Sequence, residues 1–136
     1  MTAEVAGPDR VGTADIVCTC TTSPTPVFEG SLLSAGSHVN AVGAYTPQTR
    51  ELDDVAIVRA RVVVETREVA LAEAGDLLIA LGAGSIGPNH VVADLSEVVR
   101  GVTVRRNPED VTVFKSVGVA FEDLVVARAA LDGLRE

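Results

Sequence analysis

The apolar residues of this chain fall into short blocks separated by polar, glycine- or proline-rich breaks, and the blocks alternate between strand-like and helix-like spacing. "ADIVCTCT" (residues 14–21) is short, continuous and β-branched, which predicts a strand buried on both faces. "TSPTP" ends it, because Pro24 and Pro26 enforce an extended loop, and "EGSLLSAG" reads as a linking turn or short helix. "SHVNAVGA" (residues 37–44) predicts a second strand, followed by the polar loop "YTPQTREL". Asp53 and Asp54 are placed to cap a brief helix over "VAIVRA", which leads into a third strand, "RVVVET". "TREVALAEAG" predicts a short helix between Thr66 as N-cap and Gly75 as C-cap. "DLLIAL" reads equally as a strand or a buried loop. "VVADLSEVVRG" predicts a helix that Gly101 stops, and "PEDVTVFKS" an extended segment. The last block is the most regular: Val117, Ala120, Phe121, Leu124, Ala127, Leu131 and Leu134 recur at helical spacing, with Glu122 and Asp123 near the positive end of the helix dipole.

Strands alternating with helices predict an α/β class, and 136 residues amount to a single domain's length of chain. Aromatic residues are only 3% and Trp is absent, so the core must be built from Val, Ala, Leu and Ile, which suits a parallel sheet. The net charge of -8 with 11 Lys plus Arg argues against nucleic acid and against anionic membrane surfaces as partners, since both need clustered cations. Cys18 and Cys20 are too close in sequence to staple the fold. "MTAEVAGPDR" lacks the apolar region of a signal peptide, so the expected setting is reducing and cytoplasmic.

"LGAGSIG" carries Gly82, Gly84 and Gly87 in the spacing G-x-G-x-x-G. A nucleotide turn needs a strand before it and a helix after it. "LLIAL" and "HVVADLSEVVRG" can be read that way, with Arg105 and Arg106 in "VTVRR" ready for a 2′-phosphate. Against this, three strand-like segments come first, and Pro88 follows the third glycine where the helix should already be running. A glycine loop is the preferred reading, with the nucleotide turn as its alternative. Cys18, Cys20, His38 and His90 lack the paired spacing of a metal site.

"HVNAVGA", "TP", "REL" and "FKSVGVAFED", in this order, resemble the ornithine cyclodeaminase/mu-crystallin family, and the resemblance runs from about residue 14 to 134. It implies the C-terminal half of an NAD(P)-dependent homodimeric oxidoreductase: the later part of a Rossmann-like NAD(P)-binding domain (residues 1–76), then a connection and helices (residues 77–136) returning to the dimerisation and substrate domain. The pyrophosphate turn, the ribose-binding acid and the N-terminal substrate segment would lie upstream, so a truncated chain with no activity of its own is expected. Gly82 to Gly87 would then be a decoy in a variable connection.

The resemblance also implies site residues. Thr19, with Cys20 and Thr21, would end the first strand beside the NAD or NADP cofactor, and Val39, Asn40, Ala41 and Val42 would lie near its nicotinamide ribose and ring. Ser116 would meet the cofactor and Val117 the substrate, with Lys115 either close by or solvated. Read without the resemblance, these are buried strand residues and a helix N-cap, although Asn40 in an apolar strand needs some hydrogen-bond partner. Tyr45 stands where ornithine cyclodeaminases carry an aspartate, and Gln48 and Thr49 replace a Gly-Lys pair. A phenol offers no negative charge to an ammonium group, which disfavours ornithine cyclodeamination and leaves imine reduction or amino-acid oxidation. A non-enzymatic, mu-crystallin-like binding protein is the alternative from another class.

Overall fold

A computed structural model of the chain describes residues 2–134. Five parallel strands form one sheet in the order β1-β2-β5-β3-β4: β1 (Ile16–Thr19), β2 (His38–Ala41), β3 (Ala60–Val64), β4 (Val91–Asp94) and β5 (Val111–Lys115). The last strand in sequence is the middle strand in space. Residues 38–41 pair with 112–115, and residues 60–64 with 111–115, so β2 and β3 are joined only through β5. Such distant pairing must overcome loop-closure entropy before its contacts form.

Helix α1 (Asp54–Arg59) starts where expected, its Asp53 cap accepting from the Ala56 N–H and also from Gly30 N–H. Helix α2 (Arg67–Glu73) is capped by Thr66. Ala74 ends α2 and opens α3 (Gly75–Gly82) directly. Helix α4 (Leu95–Val99) follows β4, and α5 (Ala120–Gly133) ends the chain.

The core lies on one face of the sheet. Val39, Ala41, Val62, Val64, Val111 and Val113 point down onto Leu52 and Ile57 on the α1 side and onto Leu77 and Ala80 of α3. Burying each large aliphatic side chain contributes about 1.5–3 kcal/mol. The alternate residues His38, Asn40, Thr112, Phe114 and Val63 line an open groove on the other face, together with Arg105.

Several expectations need correction. β1 is not buried on both faces: it is an edge strand with Ile16 65% exposed, and β-branched composition does not reveal how many neighbours a strand has. β1 and β2 are shorter than their apolar blocks, at four residues each. "DLLIAL" is neither strand nor loop but helix α3, because Leu77 and Ala80 pack on the sheet and Asp76 is held internally. Gly75 does not cap α2; an added Cβ would stand 2.0 Å from the Thr49 carbonyl oxygen, so glycine is required by close backbone approach. "VVADLSEVVRG" is not all helix. Its first four residues are β4, and Asp94 forms a capping box with Glu97 that starts α4. Gly101 does end that helix, at φ +97°. The division expected at residue 76 does not fall at an edge of the sheet, since β4 and β5 belong to it.

Gly82 is the last residue of α3, and no strand precedes it. A helix C-terminus presents carbonyls and negative dipole, the wrong end for phosphate. Arg105 is not free for a 2′-phosphate either, as its guanidinium donates to the carbonyls of Gly36 and Asp110 at 2.8 and 2.7 Å and to the Thr112 hydroxyl at 3.1 Å. A Cβ at Gly82 or Gly87 meets nothing within 4 Å. Gly82→Ala is therefore expected to raise stability by about 0.5–1 kcal/mol and Gly87→Ala to leave it nearly unchanged, read from thermal melting; a loss at both positions would contradict this placement.

Candidate active site at the carboxyl edge of the sheet

In open parallel α/β sheets, ligands bind beyond the carboxyl ends of the strands. Here that edge is formed by the segments following Thr19, Ala41, Val64 and Lys115. β3 leads through Glu65 and Thr66 into α2, but the chain after β1, β2 and β5 does not enter a helix at once and needs side chains to hold it.

Charged groups supply the hold. Glu51, fully buried, accepts from the Thr19 hydroxyl at 2.8 Å, the Thr21 N–H at 2.6 Å and the Gly43 N–H at 2.7 Å, which ties the loop after β1 to the loop after β2. The two backbones come so close that a Cβ on Gly43 would lie 2.2 Å from the Thr21 oxygen. Asp76 in turn accepts the N–H groups of Glu51 and Leu52, each at 2.8 Å on Oδ1. Its Oδ2 faces Lys115 Nζ at 3.1 Å and takes no hydrogen bond from other described groups. Lys115, itself fully buried, also donates to the carbonyls of Ala41 at 3.1 Å and Ala44 at 2.5 Å. Lys115 is thus neither solvated nor pointed at the edge; it lies beneath it.

The expected site residues separate into two sets. Thr19, Ala41, Val42, Tyr45, Ser116 and Val117 gather along the edge. Thr19 is buried with its hydroxyl committed to Glu51, and the Ala41 carbonyl accepts from both Lys115 and the Ser116 N–H. Val42 is 43% exposed and donates its N–H to Thr19. Tyr45 is 61% exposed and borders a hollow with Thr22, Ser23, Gly43, Thr46 and Thr49. Ser116 is not an N-cap; it lies four residues before α5 begins, and its hydroxyl donates to Glu65. The carbonyls of Ser116 and Val117 accept no hydrogen bond from any described residue. Val39 and Asn40 sit below the edge. Val39 is wholly in the core, paired with Val17 and Val113. Asn40 finds its partners on the open face, where Oδ1 meets His38 Nε2 at 3.2 Å and Nδ2 donates to Cys18 Sγ at 3.6 Å.

A hollow of about 420 Å³ is the open-face groove, away from the strand ends. Its polar groups are satisfied among themselves, since Thr112 joins Arg105 to His38. The strand edge, with unused carbonyls and an exposed loop tyrosine, is the better place for a ligand.

Sequence reasoning missed Glu51, Glu65 and Asp76. The signal was there for Glu65 and Asp76, which directly adjoin the apolar runs "VVV" and "LLIAL", since a buried acid must be satisfied by donors; Glu51, in the polar loop "YTPQTREL", gave no such signal. Burial pushes the Glu51 carboxyl up, but the bonds from Thr21, Thr19 and Gly43 outweigh it and hold the group below the ordinary value of 4.5. An acid held low in the folded state stabilises the fold above its ordinary range, and that contribution is lost as pH falls through the folded value. Glu51→Gln is expected to cost about 1–3 kcal/mol at neutral pH and to flatten the loss of stability between about pH 5 and pH 3. Urea unfolding across that range checks this; parallel profiles for variant and parent would contradict it.

The chain matches the model of the ornithine cyclodeaminase/mu-crystallin family over residues 2–136. It is 43% identical over 122 residues to a Δ1-pyrroline-2-carboxylate reductase of Bacillus cereus, covering 88% of this chain and 37% of that protein. It is 41% identical over 124 residues to the mouse ketimine reductase mu-crystallin, covering 91% of this chain and 37% of the relative. Among solved structures, the Thermococcus litoralis Δ1-pyrroline-2-carboxylate reductase in complex with NADH and L-proline aligns with a TM-score of 0.87 at 36% identity, over 94% of this chain and 40% of that one. The chain therefore spans well under half the length of these relatives. With five parallel strands, a braced carboxyl edge and a family match along nearly all its length, the chain belongs to the ornithine cyclodeaminase/mu-crystallin family.

Proposed function

We propose that this chain forms the nicotinamide side of an NAD(P)H-dependent reductase of cyclic imines, of the Δ1-pyrroline-2-carboxylate type. The observation that carries the reading is the pair of unused carbonyls on Ser116 and Val117, fixed at the carboxyl edge of a parallel sheet. Acceptors held there suit a carboxamide or a protonated nitrogen, both of which bring N–H donors. The likeness to a reductase complexed with NADH and L-proline supports the same ligand classes. When bound, the cofactor would supply the hydride that reduces the C=N bond, and a proton completes the amine.

The residues of this chain bind and orient. Thr19, Ala41 and Val42 shape the backbone floor, held from beneath by Glu51 and Lys115. Tyr45 stands above it as the side chain positioned to cover a ligand or pass it a proton. Its phenol in place of a carboxylate favours imines over ornithine. Helix α5 leaves Phe121, Leu124 and Leu131 more than half exposed, a stripe suited to the remainder of a longer polypeptide and, in that setting, to a homodimer. Among the described residues, no helix is long and apolar enough to cross a membrane.

The test is NADH and NADPH consumption with Δ1-pyrroline-2-carboxylate, using the chain alone and the longest reading frame that contains it. Imine-dependent oxidation of either cofactor by the longer form, with no ammonia released from ornithine, is expected. Ammonia release from ornithine, or tight cofactor binding with no turnover of any cyclic imine, would contradict the proposal.

A further inference from the structure

Directly after β3, Glu65 is only 5% exposed, and among the described residues none of its carboxylate contacts is with a cation. It accepts instead from three successive residues beyond β5. The Ser116 hydroxyl and the Gly118 N–H donate to Oε1, the latter at 3.2 Å, and the Val117 N–H donates to Oε2 at 3.0 Å. Two consecutive N–H groups converge on one anion here, as in a backbone nest, and Gly118 beside them adopts φ +85°. Most nests wait for an external anion. This one is filled from within.

The consequence follows from the planarity of the peptide bond. In a trans peptide the carbonyl points opposite to the next residue's N–H. With the N–H groups of Val117 and Gly118 drawn inward to Glu65, the carbonyls of Ser116 and Val117 are turned away from it. These are the two carbonyls that no described residue satisfies. Ser116 is 7% exposed, and so nearly buried a residue with an unpaired carbonyl calls for a partner. The charge of Glu65 also reaches the start of α5, where burial together with Glu65 and Asp123 holds the Glu122 carboxyl above its ordinary range.

We infer that Glu65 is a positioning residue: its buried carboxylate locks two peptide planes so that the Ser116 and Val117 carbonyls are offered as acceptors to a nitrogen-donor ligand. This rests on the reductase reading for the identity of that ligand, a nicotinamide carboxamide or a substrate nitrogen. The bonds themselves do not depend on it. In the loop after β2, Asp76 likewise accepts two consecutive N–H groups, of Glu51 and Leu52, but there the Glu51 carbonyl is taken by the Val27 N–H and is not left for a ligand.

Amide exchange and ligand-induced shifts in the 15N-labelled full chain separate the two layers. In Glu65→Ala, the Val117 and Gly118 amides are expected to exchange about tenfold faster or more, with Val113 in the sheet unchanged. Glu65→Gln keeps the volume but offers one oxygen and one NH2, so only one of the two amides should lose protection; this variant serves if the alanine form does not fold. NADH is expected to shift the Ser116 and Val117 resonances of the parent, to do so about tenfold more weakly in Glu65→Ala, and to recover part of the effect in Glu65→Asp. Unchanged exchange at both amides, or equal NADH responses in parent and Glu65→Ala, would overturn the inference. No NADH response either in the parent or in the longest reading frame that contains it would instead contradict the reductase reading beneath it.

Discussion

The Lys115–Asp76 pair is the point on which the organisation of this molecule turns. Both side chains are fully buried, and an isolated ammonium or carboxylate in such a place carries a desolvation penalty of several kcal/mol. What offsets it is saturation. Lys115 has three acceptors, two of them main-chain carbonyls, and Asp76 has two main-chain donors besides its cation. The pair therefore acts less as a bond between two side chains than as a junction between backbones. It joins the central strand β5, helix α3 and both ends of the irregular segment between β2 and α1. Residues 42–52 form no helix or strand, so directed bonds of this kind hold them where regular structure does not.

The same device recurs at three strand ends. Glu51 fastens the exits of β1 and β2, and Glu65 fastens the exit of β5. The aliphatic core fixes one face of the sheet, but it cannot specify the direction of a loop carbonyl. Charges with several directed bonds can. The edge of this sheet is accordingly braced from below by ionised groups and finished above by plain backbone, which leaves its acceptors for something else.

Much of the fold was legible in the sequence, and the failures have a common cause. The blocks around residues 16, 38, 62 and 113 read as strands, and Asp53 and Thr66 as caps, because local chemistry decides those features. "DLLIAL" and "VVADLSEVVRG" misled because tertiary packing decided them: Leu77 needs a sheet to lie on, and residues 91–94 become a strand only by joining β3. Asp94, three residues before Glu97, was a readable helix start in the middle of that block. The order of the strands was not readable, since nothing local says that β5 must return to the centre. At the site, the edge residues Thr19, Ala41, Val42, Tyr45, Ser116 and Val117 came from resemblance. The acids beneath them would have come only from asking where each buried charge finds its donors.

Surfaces left open tell the same story from outside. The β1 edge, the groove over His38 and Phe114, and the apolar residues of α5 are open among the described residues. The interior account does not depend on them. A double-mutant cycle in urea measures it most directly, comparing the parent with Lys115→Met, Asp76→Asn and the double variant. Each single change should cost about 3–5 kcal/mol, because it strands a buried partner, and the double change should cost clearly less than the sum. Single costs below about 1 kcal/mol that simply add would show that the junction is incidental, and with it this explanation of the strand edge would fail.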